Sequence, residues 1–422
     1  MAYARRRLLQ AGLLAGLAVA APAVRAQERT RLRMTWWGGS DRVRRTRAAL
    51  EAYQRRYGTQ IDSESMGGVD YWARLATQTA AGNAPDLIQL DYRVLAEYAR
   101  RNALKPLDEF MPDPLNLSEF GPTYTDHGKV DGRVFGVSMG VNSTALFYNK
   151  SALERLRIAP PDHTTTWDQF AEMCVNITRS AGRRGFFGTT DGCAFESALD
   201  VFVRQRGKTM YTPDGRLGFA RDDIAAWFDF WERLRRSGGA VPGELQASYR
   251  NTPETDMVTT NHAVFTWQHS NLIVGWQAVN RDRLGMTMHP QGERFGHYYK
   301  PSMLLGMAAT SQAPREAARV MYFLMNDPEA VEVLGVDRGV PPSAAMRTLL
   351  TDKLDELGRM QIEYLALLRD RNSPLPPPPP RGAGEIEQML RRSWESMSVG
   401  GARVPQAADQ FMADAQRTLE RA

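Results

Sequence analysis

Apolar and polar positions along the chain predict short strands that alternate with helices. Residues Leu32–Trp37 alternate in polarity and stop at a Gly-Gly pair, which is typical of a short strand. Helical spacing of apolar side chains predicts a helix over Asp41–Tyr57 and another over Tyr71–Ala81. Two further strands are predicted at Gln60–Glu64 and Asp86–Asp91. This alternation favours the α/β class with a parallel sheet.

The same kind of pattern continues through the rest of the chain. The later predicted elements are an extended stretch over Val134–Tyr148, helices over Trp167–Arg179, Asp222–Arg236 and Ala313–Met325, and a strand over Ala263–Trp267. The polyproline run 376–380 must be extended, because proline fixes φ and lacks an N–H. We expect it to link the last helical hairpin, at about 343–371 and 383–398, to the body of the protein, with its role left open.

The N-terminus has the composition of an export signal. Three arginines precede the apolar stretch Leu8–Ala21, and Val24 and Ala26 supply small residues for cleavage. Residues 1–26 are therefore interpreted as a signal peptide that is cleaved near Ala26, which predicts a periplasmic protein. The arginines make the segment resemble a twin-arginine signal, and an ordinary Sec signal is the alternative. The apolar run is short for a membrane anchor.

The net charge changes once this segment is set aside. The 422 residues carry a formal charge of +5, which alone suggests a nucleic-acid partner. Removal of residues 1–26 takes away four arginines and leaves 49 basic against 48 acidic residues. No nucleic-acid partner is therefore expected. Cys174 and Cys193 either form a disulfide in an oxidising compartment or stay as two buried thiols.

Aromatic and acidic residues at predicted strand ends are the candidate ligand contacts. Ligands of open α/β sheets bind at the carboxyl ends of the strands. Trp36 and Trp37 end the first strand, where one can face the core and its neighbour a cleft. Trp267 is a second stacking candidate for a sugar ring. Asp91 could accept hydrogen bonds from sugar hydroxyls or cap a helix, and Asp41 has the same alternatives with the cap favoured.

Catalytic and metal motifs are missing from the sequence. It contains no G-x-S-x-G, H-E-x-x-H or P-loop pattern. His262 and His269 are seven residues apart, which suits no metal motif. The Tyr298-Tyr299 pair favours stacking or packing over ligation of ferric iron, and Tyr299 is kept as a candidate ligand contact. No catalytic residue, metal or cofactor is expected.

Several segments, taken in order, resemble extracellular solute-binding proteins. They are Gly82–Asp91, Leu104–Asp108, Asp131–Val137, Gly140–Lys150 and Thr166–Phe170. In this order and spacing they are similar to family 1 of the periplasmic solute-binding proteins of ABC importers, which includes the maltose- and oligosaccharide-binding proteins.

The resemblance implies an α/β, two-lobed periplasmic-binding-protein fold with an interlobe cleft and crossover hinge segments. It implies an N-lobe of residues 27–138 plus about 292–340. The C-lobe would then be 139–291 plus about 341–422, with the C-terminal helices. It also implies that Asn142, on the first crossover, contacts ligand, and it places Trp36, Trp37, Asp91 and Trp267 at cleft positions.

The expected function is binding of a sugar or oligosaccharide for an inner-membrane ABC permease, by a monomer without catalysis. One alternative is an opine, polyamine or phosphorylated polyol in the same fold, with Arg42 or Arg93 anchoring an anion. Another is a periplasmic carbohydrate-active enzyme, because the carboxylate spacing that glycoside hydrolysis needs is tertiary.

Overall fold

The computed structural model describes residues 30–249 and 252–421. The expected signal peptide lies outside these residues. Within them, none of the helices combines the length and the apolar character needed to cross a bilayer.

Eleven strands occur in the described ranges. They are β1 (Arg31–Trp37), β2 (Gln60–Met66), β3 (Leu87–Leu90), β4 (Lys129–Val130), β5 (Arg133–Val134), β6 (Gly136–Asn142), β7 (Thr144–Asn149), β8 (Phe187–Thr189), β9 (Ala263–His269), β10 (Leu284–Thr287) and β11 (Lys300–Met307).

Sixteen α-helices accompany them in the same ranges. They are α1 (Ser40–Tyr57), α2 (Gly68–Ala80), α3 (Tyr92–Arg100), α4 (Gly121–Asp126), α5 (Lys150–Leu156), α6 (Trp167–Ala181), α7 (Glu196–Gln205), α8 (Arg221–Arg236), α9 (Gly243–Gln246), α10 (Ile273–Val279), α11 (Pro314–Asn326), α12 (Pro328–Leu334), α13 (Ala344–Thr351), α14 (Glu356–Leu367), α15 (Ala383–Ser398) and α16 (Val404–Arg421). Every element predicted from periodicity is present, with ends shifted by a few residues. The region expected to be one helix at 343–371 is two helices, α13 and α14.

The first sheet builds the N-lobe. Its strand order is β2-β1-β3-β11-β6, with β1, β2 and β3 parallel and β11 antiparallel to both of its neighbours. The expected parallel sheet is therefore confirmed for β1, β2 and β3. It does not extend to β11, which enters the sheet from the opposite lobe and pairs antiparallel. Leu32, Met34 and Trp36 of β1 pack in the cluster on one face of this sheet, and Trp37 packs against the cluster on the other face. Helices therefore cover both faces.

The second sheet builds the C-lobe in the order β10-β7-β9-β8. Strand β7 pairs antiparallel with both β10 and β9, whereas β8 pairs with β9 in parallel. Its larger core cluster contains side chains from α6, α7, α8, α15 and α16. Cys174 and Cys193 are both in this cluster as buried free thiols.

Three crossovers connect the lobes. The chain passes from β6 to β7 at Ser143, returns just before Lys300, and passes a third time near Val340, which bridges to Val141. At Gly140 a β-carbon would lie 2.0 Å from the carbonyl oxygen of Arg338, so this close approach of two crossovers requires glycine. The chain thus passes between the two sheets near residues 143 and 299, and it passes the first crossover again near residue 340.

Candidate functional site

Asp91 and Arg93 lie at the N-lobe edge where β3 ends. Asp91 is the N-cap of α3, since its Oδ1 accepts a hydrogen bond from the Arg93 backbone N–H at 2.9 Å. The same oxygen lies 3.1 Å from the Arg93 guanidinium. Burial opposes ionisation of Asp91, but the charges of Lys300 and Arg93 hold its pKa below the usual range. Of the two alternatives for Asp91, the structure shows the helix cap, and contact with sugar hydroxyls stays a prediction.

Lys300 lies at the base of the cleft, on the second crossover. It pairs across the sheet with Asn142, the last residue of β6. Its side chain is half-buried, and burial lowers its pKa, although the charges of Asp91 and Glu196 oppose that shift. Among the described residues, the Lys300 ammonium has neither a hydrogen-bond acceptor nor an ion-pair partner.

The C-lobe contributes two carboxylates to the same region. Glu196 begins α7, Glu387 lies on α15, and both side chains are half-buried. Burial raises the pKa of Glu196 to about 7, with further contributions from the charges of Glu387 and Asp200, while Arg93 and Lys300 act against the rise. Neither glutamate forms a hydrogen bond or ion pair in the ranges that the structure describes.

Five side chains thus form one charge cluster: Asp91, Arg93, Glu196, Lys300 and Glu387. Two come from the N-lobe, one from a crossover and two from the C-lobe. Asp91 and Arg93 bind each other, whereas Glu196, Lys300 and Glu387 have no direct partner among the described residues and retain unused hydrogen-bonding capacity. The cluster can therefore donate to and accept from a polar solute that enters between the lobes.

An aromatic patch lies at the same edge of the N-lobe sheet. Trp37, the last residue of β1, is half-buried, and its ring centroid lies 5.1 Å from both Tyr71 and Trp72. Trp72 is also half-buried. The two indoles offer flat apolar surface close to the strand ends.

A groove of about 780 Å³ separates the start of α1 from the C-lobe. Its N-lobe wall includes Asp41 and Arg42, and its C-lobe wall includes Asn271 and the buried, unpartnered carboxamide of Gln361. Asn142 Nδ2 donates to Asn271 Oδ1 at 2.9 Å. Since Asn142 also pairs with Lys300, this bond connects the groove to the charge cluster.

Asp41 does not cap a helix, contrary to the favoured expectation. Helix α1 begins one residue earlier at Ser40, after Gly39 as N-cap. Asp41 lies in the first turn, where its carboxylate binds Arg44 and Arg45. The hydrogen bond from Arg45, and after it the one from Arg44, lowers the pKa of Asp41.

Trp36 and Trp267 are core residues, and the expectation that they face a ligand was wrong. Trp36 is fully buried against the α1 side of the N-lobe sheet. Trp267 is 3 % exposed, stacks on Trp167 and donates from Nε1 to Thr189 Oγ1 at 3.1 Å. Its ring borders a C-lobe cavity of about 210 Å³, but neither indole has a face free for a sugar.

Tyr299 is also placed elsewhere than expected. Its hydroxyl donates to the Leu365 carbonyl oxygen at 3.0 Å, and its ring lies 5.6 Å from that of Tyr124. Tyr299 precedes β11, and its hydrogen bond joins the second crossover to α14.

The sequence analysis did not identify three members of the charge cluster: Glu196, Lys300 and Glu387. Each lies in or beside a segment whose sequence pattern predicts a helix or strand and gives no sign of a binding residue. The one available signal was Lys300, since lysine is rare in this chain. No group of three or more His, Cys, Asp or Glu side chains within the described ranges has the geometry of a metal site.

The sequence model of the family described as bacterial extracellular solute-binding protein matches residues 48–356. The lactose-binding protein of Rhizobium radiobacter is 24% identical over 229 residues, which is 51% of each chain. The chain spans only about half the length of the curated relatives it matches.

Solved structures match over nearly the whole fold. The family 1 extracellular solute-binding protein of Alicyclobacillus acidocaldarius superposes with a TM-score of 0.80 at 25% identity, covering 93% of this chain and 99% of that one. The periplasmic oligogalacturonide-binding protein of Yersinia enterocolitica, in complex with saturated digalacturonic acid, gives 0.79 at 20% identity, with coverage of 93% and 99%. With a two-lobed α/β fold and a family match over most of its length, the chain belongs to the bacterial extracellular solute-binding proteins.

Proposed function

We propose that this chain is the periplasmic solute-binding component of an ABC importer and binds a sugar or oligosaccharide between its lobes. It acts by reversible binding, without catalysis. The ligand-bound form delivers its solute to an inner-membrane permease.

The observation that carries this proposal is the charge cluster. Glu196, Glu387 and Lys300 converge from both lobes and a crossover without direct partners. Sugar hydroxyls donate to carboxylates and accept from an ammonium, so one saccharide satisfies all three groups. Since the groups belong to both lobes, the ligand is held most firmly when the lobes close on it.

The aromatic patch supports the sugar class. Trp37 and Trp72 can cover the apolar C–H face of a pyranose, which removes apolar area from water. The names of two similar proteins, a lactose-binding and an oligogalacturonide-binding protein, agree with this class. Asn142 and Asn271 provide further amide hydrogen bonds towards the groove.

The charges also favour a second candidate, an ionic solute. Lys300 and Arg93 together could hold a carboxylate or phosphate ester, with Glu196 and Glu387 binding an ammonium or hydroxyl groups. An acidic sugar would use both the basic pair and the aromatic patch. An opine or phosphorylated polyol would need the basic pair alone.

Isothermal titration against a fixed panel tests both candidates. The panel contains lactose, galacturonic acid, digalacturonic acid, spermidine and glycerol 3-phosphate. Saturable binding of a saccharide, without change in its chemical structure, supports the proposal. Binding of spermidine or glycerol 3-phosphate alone would reject the sugar class, and cleavage of a saccharide would reject a pure binding role.

A matched pair of variants locates the site. Lys300→Met is expected to weaken binding of the active panel member at least tenfold, because a charged hydrogen bond is lost from a half-buried position. Lys208→Met removes the same charge from an exposed loop after α7 and is expected to leave the affinity unchanged. Equal affinities in both variants would place the ligand away from the charge cluster.

A further inference from the structure

The segment Ser373–Pro380, here the proline strap, joins α14 to α15. Six of its eight residues are proline, and it forms no helix or strand. Proline fixes φ and cannot donate a backbone hydrogen bond, so such a run behaves as a stiff, extended spacer. The strap therefore holds its ends apart and cannot fold away.

The first end of the strap is fixed to the C-lobe. Arg204 of α7 is 7 % exposed, and its Nη2 donates to Ser373 Oγ at 2.6 Å and also to the Pro374 carbonyl. The Ser373 backbone N–H donates to the His297 carbonyl oxygen at 2.7 Å. This end is a buried, charge-assisted anchor.

The middle of the strap touches the N-lobe. Leu375 packs against the apolar cluster on the α3 side of the first sheet. The Tyr92 hydroxyl donates to the Pro376 carbonyl oxygen at 2.9 Å. Tyr92 is 9 % exposed and lies between Asp91 and Arg93, the N-lobe members of the charge cluster.

The far end returns to the C-lobe. Pro380 lies beside Gly215, where a β-carbon would be 3.4 Å from the Pro380 Cβ. The Pro380 carbonyl accepts from the Ala383 N–H at the start of α15, and α15 packs on α16. The strap thus begins and ends in the C-lobe and bridges to the N-lobe outside the three crossovers.

We propose that the proline strap is a latch that resists opening of the interlobe cleft in the ligand-free protein. Moving the lobes apart must break the Tyr92–Pro376 hydrogen bond and expose Leu375. Because both ends are anchored and the run is stiff, the strap cannot follow the N-lobe. Removal of its N-lobe contacts therefore shifts the population towards open forms.

Distance measurement between two spin labels tests the latch without any ligand. Labels are attached at Thr77→Cys on α2 and Asp222→Cys on α8, both exposed positions, while the two native cysteines are buried. Pulsed electron resonance then gives the interlobe distance distribution. Because no ligand enters the experiment, its outcome is independent of the proposed function.

Two variants remove the strap contacts separately. Tyr92→Phe deletes the hydroxyl alone, and Leu375→Ser removes the apolar contact. Each is expected to broaden the distribution and move its mean to longer distance. Tyr98→Phe, on the same helix, makes no hydrogen bond to the strap and is expected to match the parent.

The outcome that overturns the latch is a Tyr92→Phe distribution that coincides with the parent. If Leu375→Ser fails to fold by circular dichroism, the Tyr92→Phe result decides alone. A shift of equal size in Tyr98→Phe would also contradict the proposal, because the effect would then not depend on the strap.

Discussion

Trp167 and Trp267 stack in the C-lobe core with ring centroids 5.8 Å apart and planes inclined by 2°. Trp167 begins α6 and Trp267 is on β9, so the stack joins helix to sheet. The edges of Trp267 meet Phe170 and Trp231. Its position at a strand end, which suggested a ligand platform, instead places it beneath the helices that cover that strand.

Trp267→Ala is expected to lower the free energy of unfolding by about 3–5 kcal/mol, because it leaves a large cavity in a packed core. Urea unfolding followed by circular dichroism measures this. Trp37→Ala, at a half-buried position, is expected to cost much less and to weaken solute binding instead. Equal stability losses in the two variants would contradict this assignment.

The buried ion pair between Asp191 and Arg235 gives a second prediction. Asp191 is fully buried, and its Oδ2 also accepts from Trp394 Nε1 at 2.7 Å, which fixes α15 to the C-lobe. Asp191→Asn is expected to destabilise by about 2–3 kcal/mol, because the buried Arg235 charge then keeps only the Glu232 carboxylate as its ion-pair partner.

The control for this pair lies on the same helix. Arg233 and Asp229 form an exposed pair at (i, i+4) on α8. Asp229→Asn is expected to cost less than about 1 kcal/mol. Thermal unfolding of both variants compares the two pairs, and a similar small loss in each would show that burial does not matter here.

The sequence predicted the fold better than the site. Periodicity located β1, because its buried apolar residues recur at every second position on one face. Strand β9 is buried on both faces, and it was located as a short, nearly continuous apolar run. The antiparallel entry of β11 was missed because strand direction depends on which lobe the chain comes from. A local sequence pattern carries no information about the direction in which a strand enters a sheet.

The site was predicted poorly for a related reason. Trp36 and Trp37 have the same local sequence context, and only the helices packed on each face decide which is buried. Glu196, Lys300 and Glu387 are far apart in the chain and meet only through the lobe arrangement. Asp91 was found because a strand end lies at the cleft in any α/β sheet.

Glu196 gives a prediction for the pH dependence of stability. Burial, with the charges of Glu387 and Asp200, raises its pKa from 4.5 to about 7. The folded protein therefore holds this proton more tightly than the unfolded chain does. The stabilising contribution of the protonated Glu196 is therefore complete below about pH 4.5, and it is lost as the pH rises through about 7.

Glu196→Gln removes this loss, because the amide cannot ionise. At about pH 8 the variant is expected to be more stable than the parent by about 1–3 kcal/mol, and at about pH 4.5 the two should be equal. Glu244→Gln, at an exposed position on α9, is the control and should follow the parent throughout. Urea unfolding across this pH range measures the difference. If the parent and the Glu196→Gln variant have parallel pH profiles of stability, the pKa of Glu196 is not raised in the folded protein.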